Sequence, residues 1–129
     1  MTLEDTPAHE TVPGLDAGAH SAAPLRMSVS RGAEPRIVVL EGELDLSNAP
    51  SLQAEFVGTL EDLHGDLVLD IGALSFMDSS GLAMFVTLHK ALESRGANLV
   101  ISNPTPGVRR LFQITSLEDV LDIRQTDNP

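Results

Sequence analysis

Residues 75–85 read SFMDSSGLAMF, so a carboxylate, two adjacent hydroxyls and a glycine (Asp78, Ser79, Ser80, Gly81) stand between apolar stretches. Asp and Ser favour the position just before a helix, where a side-chain oxygen accepts a hydrogen bond from a free backbone N–H. The same position presents a hydroxyl to solvent, so a cap can also be a site. Asp45, in GELDLSN, carries a similar double reading, as a turn residue or helix cap and as an acidic member of a site.

Several chemistries compete for these residues. A serine hydrolase needs a base within hydrogen-bond reach of its nucleophile and usually a strained G-x-S-x-G elbow. Here Asp78 precedes the serine, and only His64 and His89 lie within the patterned part of the chain. On a helix rising about 1.5 Å per residue, His89 falls roughly 15 Å along the axis from Ser79. A hydrolase therefore ranks low. Asp45 and Asp78 offer two oxygens to a hard cation, yet no loop has the dense acidic spacing of a calcium site. Neither GxxxxGK[ST] nor GxGxxG occurs, and Lys90 is the sole lysine, so no cofactor and no phosphoryl-transfer catalysis by this chain are expected.

What remains is a serine that receives chemistry from another protein. The partial positive charge and free N–H groups of a helix start stabilise a phosphate of about −1.5 to −2 charges. Phosphate on Ser79 would leave the domain folded. It would add charge beside Asp78 and Asp45, so that an acidic or apolar partner surface meets repulsion or a desolvation cost.

The elements that must position these residues follow from the hydropathy pattern. LRMSVS alternates at period two, and EPRIVVLEG contains the β-rich run Ile37–Leu40 after a turn marked by Gly32 and Pro35, which together predict a hairpin. Leu52, Phe56, Leu60 and Leu63 form one face of a helix with Ser47 or Asn48 as cap and Gly65 beyond its end. DLVLDIGAL is a further strand. A second helix follows with Leu82, Phe85, Val86, His89 and Leu92 on one face, closed by Arg95 and Gly96. ANLVIS is another strand. A third helix is capped by Thr105, with Pro106 in its first turn and Val108, Leu111 and Phe112 on its apolar face. A last strand or short helix covers about Val120–Arg124.

The order β-β-α-β-α-β-α-β/α predicts an α/β domain, with a small mixed sheet of four to five strands flanked by helices. Loops leaving the carboxyl ends of parallel strands gather on one edge, where such sheets place their sites. Those loops are 42–48, 75–81 and 102–107. They should bring Asp45, Asp78, Ser79, Ser80 and Thr105 together.

Residues 1–24 differ from the rest. They hold four acidic residues, no Lys or Arg, three prolines and no apolar period, and are expected to be a disordered acidic tail. Residues 25–125 form the domain and 126–129 a short C-terminal tail. Across its 129 residues the chain carries 8 Lys and Arg against 19 Asp and Glu, a formal charge of −11. That balance disfavours phosphate backbones and anionic lipid, and without Trp or Tyr no base-stacking platform is expected. With no cysteine, disulfides, thiolate zinc sites and thiol catalysis drop out. No apolar run approaches the ~20 residues of a membrane span, and the N-terminus has no signal-peptide pattern. A cytoplasmic protein with no nucleic-acid or membrane contact is the expectation.

The stretches VVLEGELD, LDIGALSFMDSSGLAMFV and NPTPGVRRLFQITSLEDVL resemble the anti-sigma factor antagonists of the STAS domain, over roughly residues 25–125. The resemblance implies a STAS-type sheet, no catalytic activity, and a partner that is both anti-sigma factor and serine kinase. It implies phosphorylation on Ser79, which weakens binding, and a metal-dependent serine phosphatase that reverses it. It places Asp45 at the acidic position near the acceptor, Asp78 and Ser80 flanking it, and Gly81 where a partner's backbone approaches. Where the family often has Gly before the Leu of the last segment, this chain has Ser116. A STAS module serving a transporter or a stress-signalling scaffold is the alternative implication.

Overall fold

The computed structural model describes residues 9–12, 24–30 and 35–125. The strands are β1 (His9–Val12), β2 (Arg26–Ser30), β3 (Arg36–Leu44), β4 (Leu67–Met77), β5 (Leu99–Ser102) and β6 (Asp122–Arg124). The helices are α1 (Ala49–Glu61), α2 (Ser79–Glu93) and α3 (Pro106–Ile114), with a 3-10 turn at Leu117–Asp119. The sheet runs in the order β1-β2-β3-β4-β5-β6. β2 is antiparallel to both β1 and β3, and β3 to β6 are parallel neighbours.

Strands β2 to β6 are the expected mixed sheet. β1 adds a sixth strand from within the leader, which corrects the expectation of a structureless tail for residues 9–12. Thr11 and Val12 favour strand, and β2 offers an outer row of backbone groups that needs a partner. Residues 1–8 and 13–23 of the expected tail and residues 126–129 lie outside the described residues. The ambiguous final segment is a strand, β6, reached through the 3-10 turn.

Because β3 to β6 advance in one direction and each crossover is right-handed, all three helices cover the same face of the sheet. Burial follows. Met27, Val38, Leu40, Leu69, Ile71, Leu99 and Ile101 are buried, while Ile37, Val39, Val68 and Val100 on the other face are half-buried. Phe85 of α2 stacks on Phe112 of α3 with ring centroids 6.4 Å apart, an arrangement that adds to the area the two rings bury.

The buried face of α2 is wider than expected. Leu82, Phe85 and Leu92 are buried as predicted, but Val86 and His89 are half-buried, whereas Met84 and Leu88 are fully covered. The helix has two neighbours. Its pattern serves the sheet on one side and, through Met84 and Leu88, the Phe56–Leu60 side of α1 on the other. On α1, Leu52 and Phe56 are buried, Leu60 is half-buried, and Leu63 is buried just past the helix end. Arg95 does more than close α2. Its guanidinium donates to the Leu60 and Leu63 carbonyls at the end of α1, where positive charge and donors are both favourable.

Strand β4 changes step as it approaches the site. Its buried positions are Leu67, Leu69 and Ile71, then Leu74 and Met77. The spacing passes from two to three because the ladder with β3 slips between Val39 and Glu41 and again between Gly42 and Glu43. Each slip puts one extra residue into β4, which is the definition of a bulge. Gly42, at φ 102, accommodates the second.

Ser116 stands at φ 60, ψ 17, in the left-handed region just past the end of α3. The turn expected there is present, held by a residue with a Cβ where glycine is the favoured type. Ser116→Gly should therefore raise the unfolding free energy by about 1 kcal/mol, read from urea unfolding at unchanged slope. Gly58 offers a second gain. It sits inside α1, and a Cβ added there would meet nothing within 4 Å. Gly58→Ala should therefore stabilise by roughly 0.5–1 kcal/mol in the same assay.

Candidate functional site

The β3 and β4 strands end side by side, with Leu44 paired to Met77. The Asp78 N–H donates to the Leu44 carbonyl at 3.2 Å. One backbone bond thus joins the loop that carries Asp45 to the residue that starts α2. Residue Asp78 is extended, at φ −109 and ψ −169, and its Oδ1 accepts from Ser80 N at 2.9 Å. The Gly81 and Leu82 amides donate to the Asp78 carbonyl. Asp78 is therefore the helix cap, with Ser79 the first and Ser80 the second helical residue.

The two serines are not equivalent. Ser79 is exposed and Ser80 half-buried. The hydroxyl at Ser79 faces solvent at the first turn, beside a half-buried Asp78 carboxylate. Ser80 lends its backbone to the cap.

Gly81 is placed differently from the expectation that a partner's backbone would approach it. It is buried, and a Cβ there would stand 2.5 Å from Met77 Cγ and 2.9 Å from Leu44 Cδ2. The close approach is internal: α2 rests its first turn on the ends of β3 and β4. Thr105 is half-buried and caps α3, its hydroxyl accepting from Val108 N at 3.4 Å and donating to the Leu74 carbonyl at 3.5 Å. It ties the third loop to β4, three residues before Met77.

Asp45 belongs to a locked loop. Its Oδ1 accepts from Ser47 N at 2.9 Å and from Ser47 Oγ at 2.6 Å, and its carbonyl accepts from Asn48 N and Ala49 N. Asn48 occupies the cap position of α1 but makes no side-chain cap bond. Instead its Oδ1 accepts from Asp45 N and its Nδ2 donates to the Glu43 carbonyl, both at 2.9 Å. The expected cap of α1 is thus a loop brace. Pattern reading missed this because an Asn in front of a helix satisfies the capping rule whichever way its amide turns.

Apolar side chains also surface at this edge. Leu46 is 72% exposed and Phe76 47%. Phe76 lies outward because of the bulges in β4. Phe76 shares a groove of about 290 Å³ with Val108, Arg110, Leu111 and Ile114 of α3. His64 is exposed beyond the end of α1, and His89 lies along α2, two to three turns from Ser79. Among the described residues no group of three metal-ligating side chains occurs, and no helix is long and apolar enough to cross a membrane.

Residues 25–128 match the STAS domain family. A relative from Bacillus subtilis (strain 168), named anti-sigma-B factor antagonist, is 37% identical over 86 residues, which is 67% of this chain and 78% of that one. Two solved structures share the fold. The anti-sigma factor antagonist SpoIIAA in its unphosphorylated form gives a TM-score of 0.68 at 23% identity, over 79% of this chain and 89% of that one. The Bacillus cell fate determinant SpoIIAA in the phosphorylated form gives 0.63 at 22%, over 79% and 92%.

Two substitutions probe this geometry. Asp78→Ala removes the cap acceptor and should cost about 1 kcal/mol of stability. Gly81→Ala should lower stability despite the higher helix propensity of alanine, because its methyl meets Met77 and Leu44 in a filled core. Thermal unfolding of the two variants against Gly58→Ala checks the contrast, since the Gly58 site is open.

Proposed function

Because the chain belongs to the STAS domain family, we propose that it acts as an anti-sigma factor antagonist, a binding switch with no catalysis of its own. It binds an anti-sigma factor that is also a serine kinase and so frees the sigma factor which that protein holds. Phosphorylation at Ser79 turns the switch off, and a metal-dependent serine phosphatase turns it on again. These partners place the protein in the cytoplasm.

The observation that carries this reading is the exposed hydroxyl at the first position of α2. In the transfer, Ser79 Oγ attacks the γ-phosphorus of a nucleoside triphosphate bound to the kinase. The Oγ–P bond forms, the bond to the nucleoside diphosphate breaks, and the hydroxyl proton passes to a base on the kinase. The chain itself supplies only the nucleophilic oxygen and its placement. The first turn of α2 accommodates the added charge, since backbone N–H groups and the positive end of the helix dipole lie there.

The same phosphate opposes binding. It stands next to Asp78 and on the edge that carries Asp45, so negative charge accumulates where the partner must dock. Asp45, Asp78, Ser80 and Thr105 form the rim around the acceptor. Gly81 contributes by letting α2 sit close to the sheet. The 37% identical relative is named for the same antagonist role, which supports the reading.

Incubation with the kinase partner and ATP should add one phosphate, located at Ser79 by peptide mass. Ser79→Ala should bind the kinase and take no phosphate. Ser79→Asp should bind at least about tenfold more weakly by calorimetry, a loss in the range of a like-charge contact at an interface. Phosphate found on another residue would sink the site assignment, and equal affinity of the two variants would remove the electrostatic switch.

A further inference from the structure

Among the described residues only Ser30, Asn48 and Ser102 are buried polar side chains. Ser30 accepts from Ile37 N, and the Asn48 amide bonds Glu43 and Asp45. Ser102 differs from both. The residue is 5% exposed, yet its hydroxyl has no hydrogen-bond partner among the described residues. A buried hydroxyl left unbonded costs free energy. Leu99 and Ile101 of β5 face the helices, so by alternation Val100 and Ser102 face the other side of the sheet. The three helices leave that side uncovered, although parallel strands are almost always covered on both.

The Ser102 side chain opens into a cleft of about 590 Å³ on this face, a volume usual for small-molecule sites. Two adjacent strands line it with one repeated pattern. Asp66, Val68 and Asp70, on and just before β4, stand beside Asn98, Val100 and Ser102, on and just before β5. Val68 pairs with Val100 and Asp70 with Ser102, and the Asn98 N–H donates to Asp66 Oδ1 at 2.9 Å. Each end of the cleft thus holds a carboxylate and a neutral polar side chain, with two valines between. At about 3.3 Å per residue the two carboxylates stand roughly 13 Å apart. Asp70 Oδ1 accepts from Gly72 N at 2.9 Å. The second oxygen of each carboxylate has no partner among the described residues, and neither forms an ion pair there. The other two charges in the cleft, Asp122 and Arg124, pair with each other at 2.8 Å.

We infer that this cleft binds a linear aliphatic polyamine, with a cationic group at each end and its methylenes over Val68 and Val100. One terminal ammonium donates to Asp70 and the Ser102 hydroxyl, the other to Asp66 and the Asn98 side-chain carbonyl. Hydrogen bonds between ionised groups are the strong ones, and the methylenes bury apolar area on the valines. An anion would meet two uncompensated carboxylates. A hydrated metal ion would leave the valines without a partner, and no group of three metal-ligating side chains occurs among the described residues. None of the four polar residues belongs to the Ser79 turn, so the site stands apart from the proposed switch.

Titration calorimetry on the full-length chain tests the site, with spermidine as the probe. About 0.15 M salt largely screens charges farther apart than about 8 Å. Spermidine should bind at one site, and n-butylamine, with one charge on a similar chain, at least about tenfold more weakly. Asp66→Asn and Asp70→Asn keep an oxygen for the backbone amides they accept from, and each should weaken spermidine at least about tenfold. Ser102→Ala should weaken it about fivefold, the usual weight of one hydrogen bond. Glu55→Gln removes an exposed negative charge from α1 and should leave the affinity within about twofold. The Val68 and Val100 methyl signals should shift in NMR as spermidine is added. Absence of binding, methyl signals that stay in place at saturation, or equal affinity for the two amines overturns the polyamine site. Equal losses in Glu55→Gln and Asp70→Asn overturn it too, since binding would then be attraction to the net charge of −11.

Discussion

The hydrogen bond from Asp78 N to the Leu44 carbonyl is the joint on which the site depends. It extends the parallel pairing of β3 and β4 by one rung beyond Leu44 and Met77. On one side of it the chain enters the braced loop of Asp45. On the other it enters α2 through Asp78. Without that rung Asp45 and the Asp78–Ser79 pair would belong to separate loops, each with its own freedom. With it they share a frame as stiff as the sheet.

Packing below the joint serves the same end. Gly81 lets α2 settle onto Met77 and Leu44, and the Phe85–Phe112 contact ties α2 to α3. Thr105 returns α3 to β4 through the Leu74 carbonyl. The three loops at this edge are thus connected by short links that pass through β4. A rigid scaffold of this sort leaves the exposed hydroxyl as the element free to change chemically. A modification there alters surface charge more than shape.

Much of this was legible in the sequence. Period-two and period-four hydropathy located the strands and helices of residues 25–125. The cap residues Asp78 and Thr105 located two helix starts, because short polar side chains there have one dominant use. Four things were hidden for physical reasons. The outward turn of Phe76 depends on bulges, which shift register without leaving a mark in local propensity. The brace made by Asn48 depends on a rotamer choice that only tertiary packing decides. Strand β1 is stabilised by the edge of β2, so its four residues carry too little pattern to stand out from an acidic leader. The inward use of Gly81 belongs with these, since a glycine pattern does not say from which side the close approach comes.

The two bulges of β4 also set a limit on how this chain can vary. Between Ile71 and Met77 the strand advances in threes, so the core takes every third side chain there and the intervening residues face out. Loss or gain of one residue in that stretch would exchange Phe76 and Met77 between surface and interior. It would also move Asp78 off the Leu44 carbonyl. The distance from the middle of the sheet to Ser79 is therefore a fixed count of residues. Substitutions can retune the site, but length changes in this segment would dismantle it.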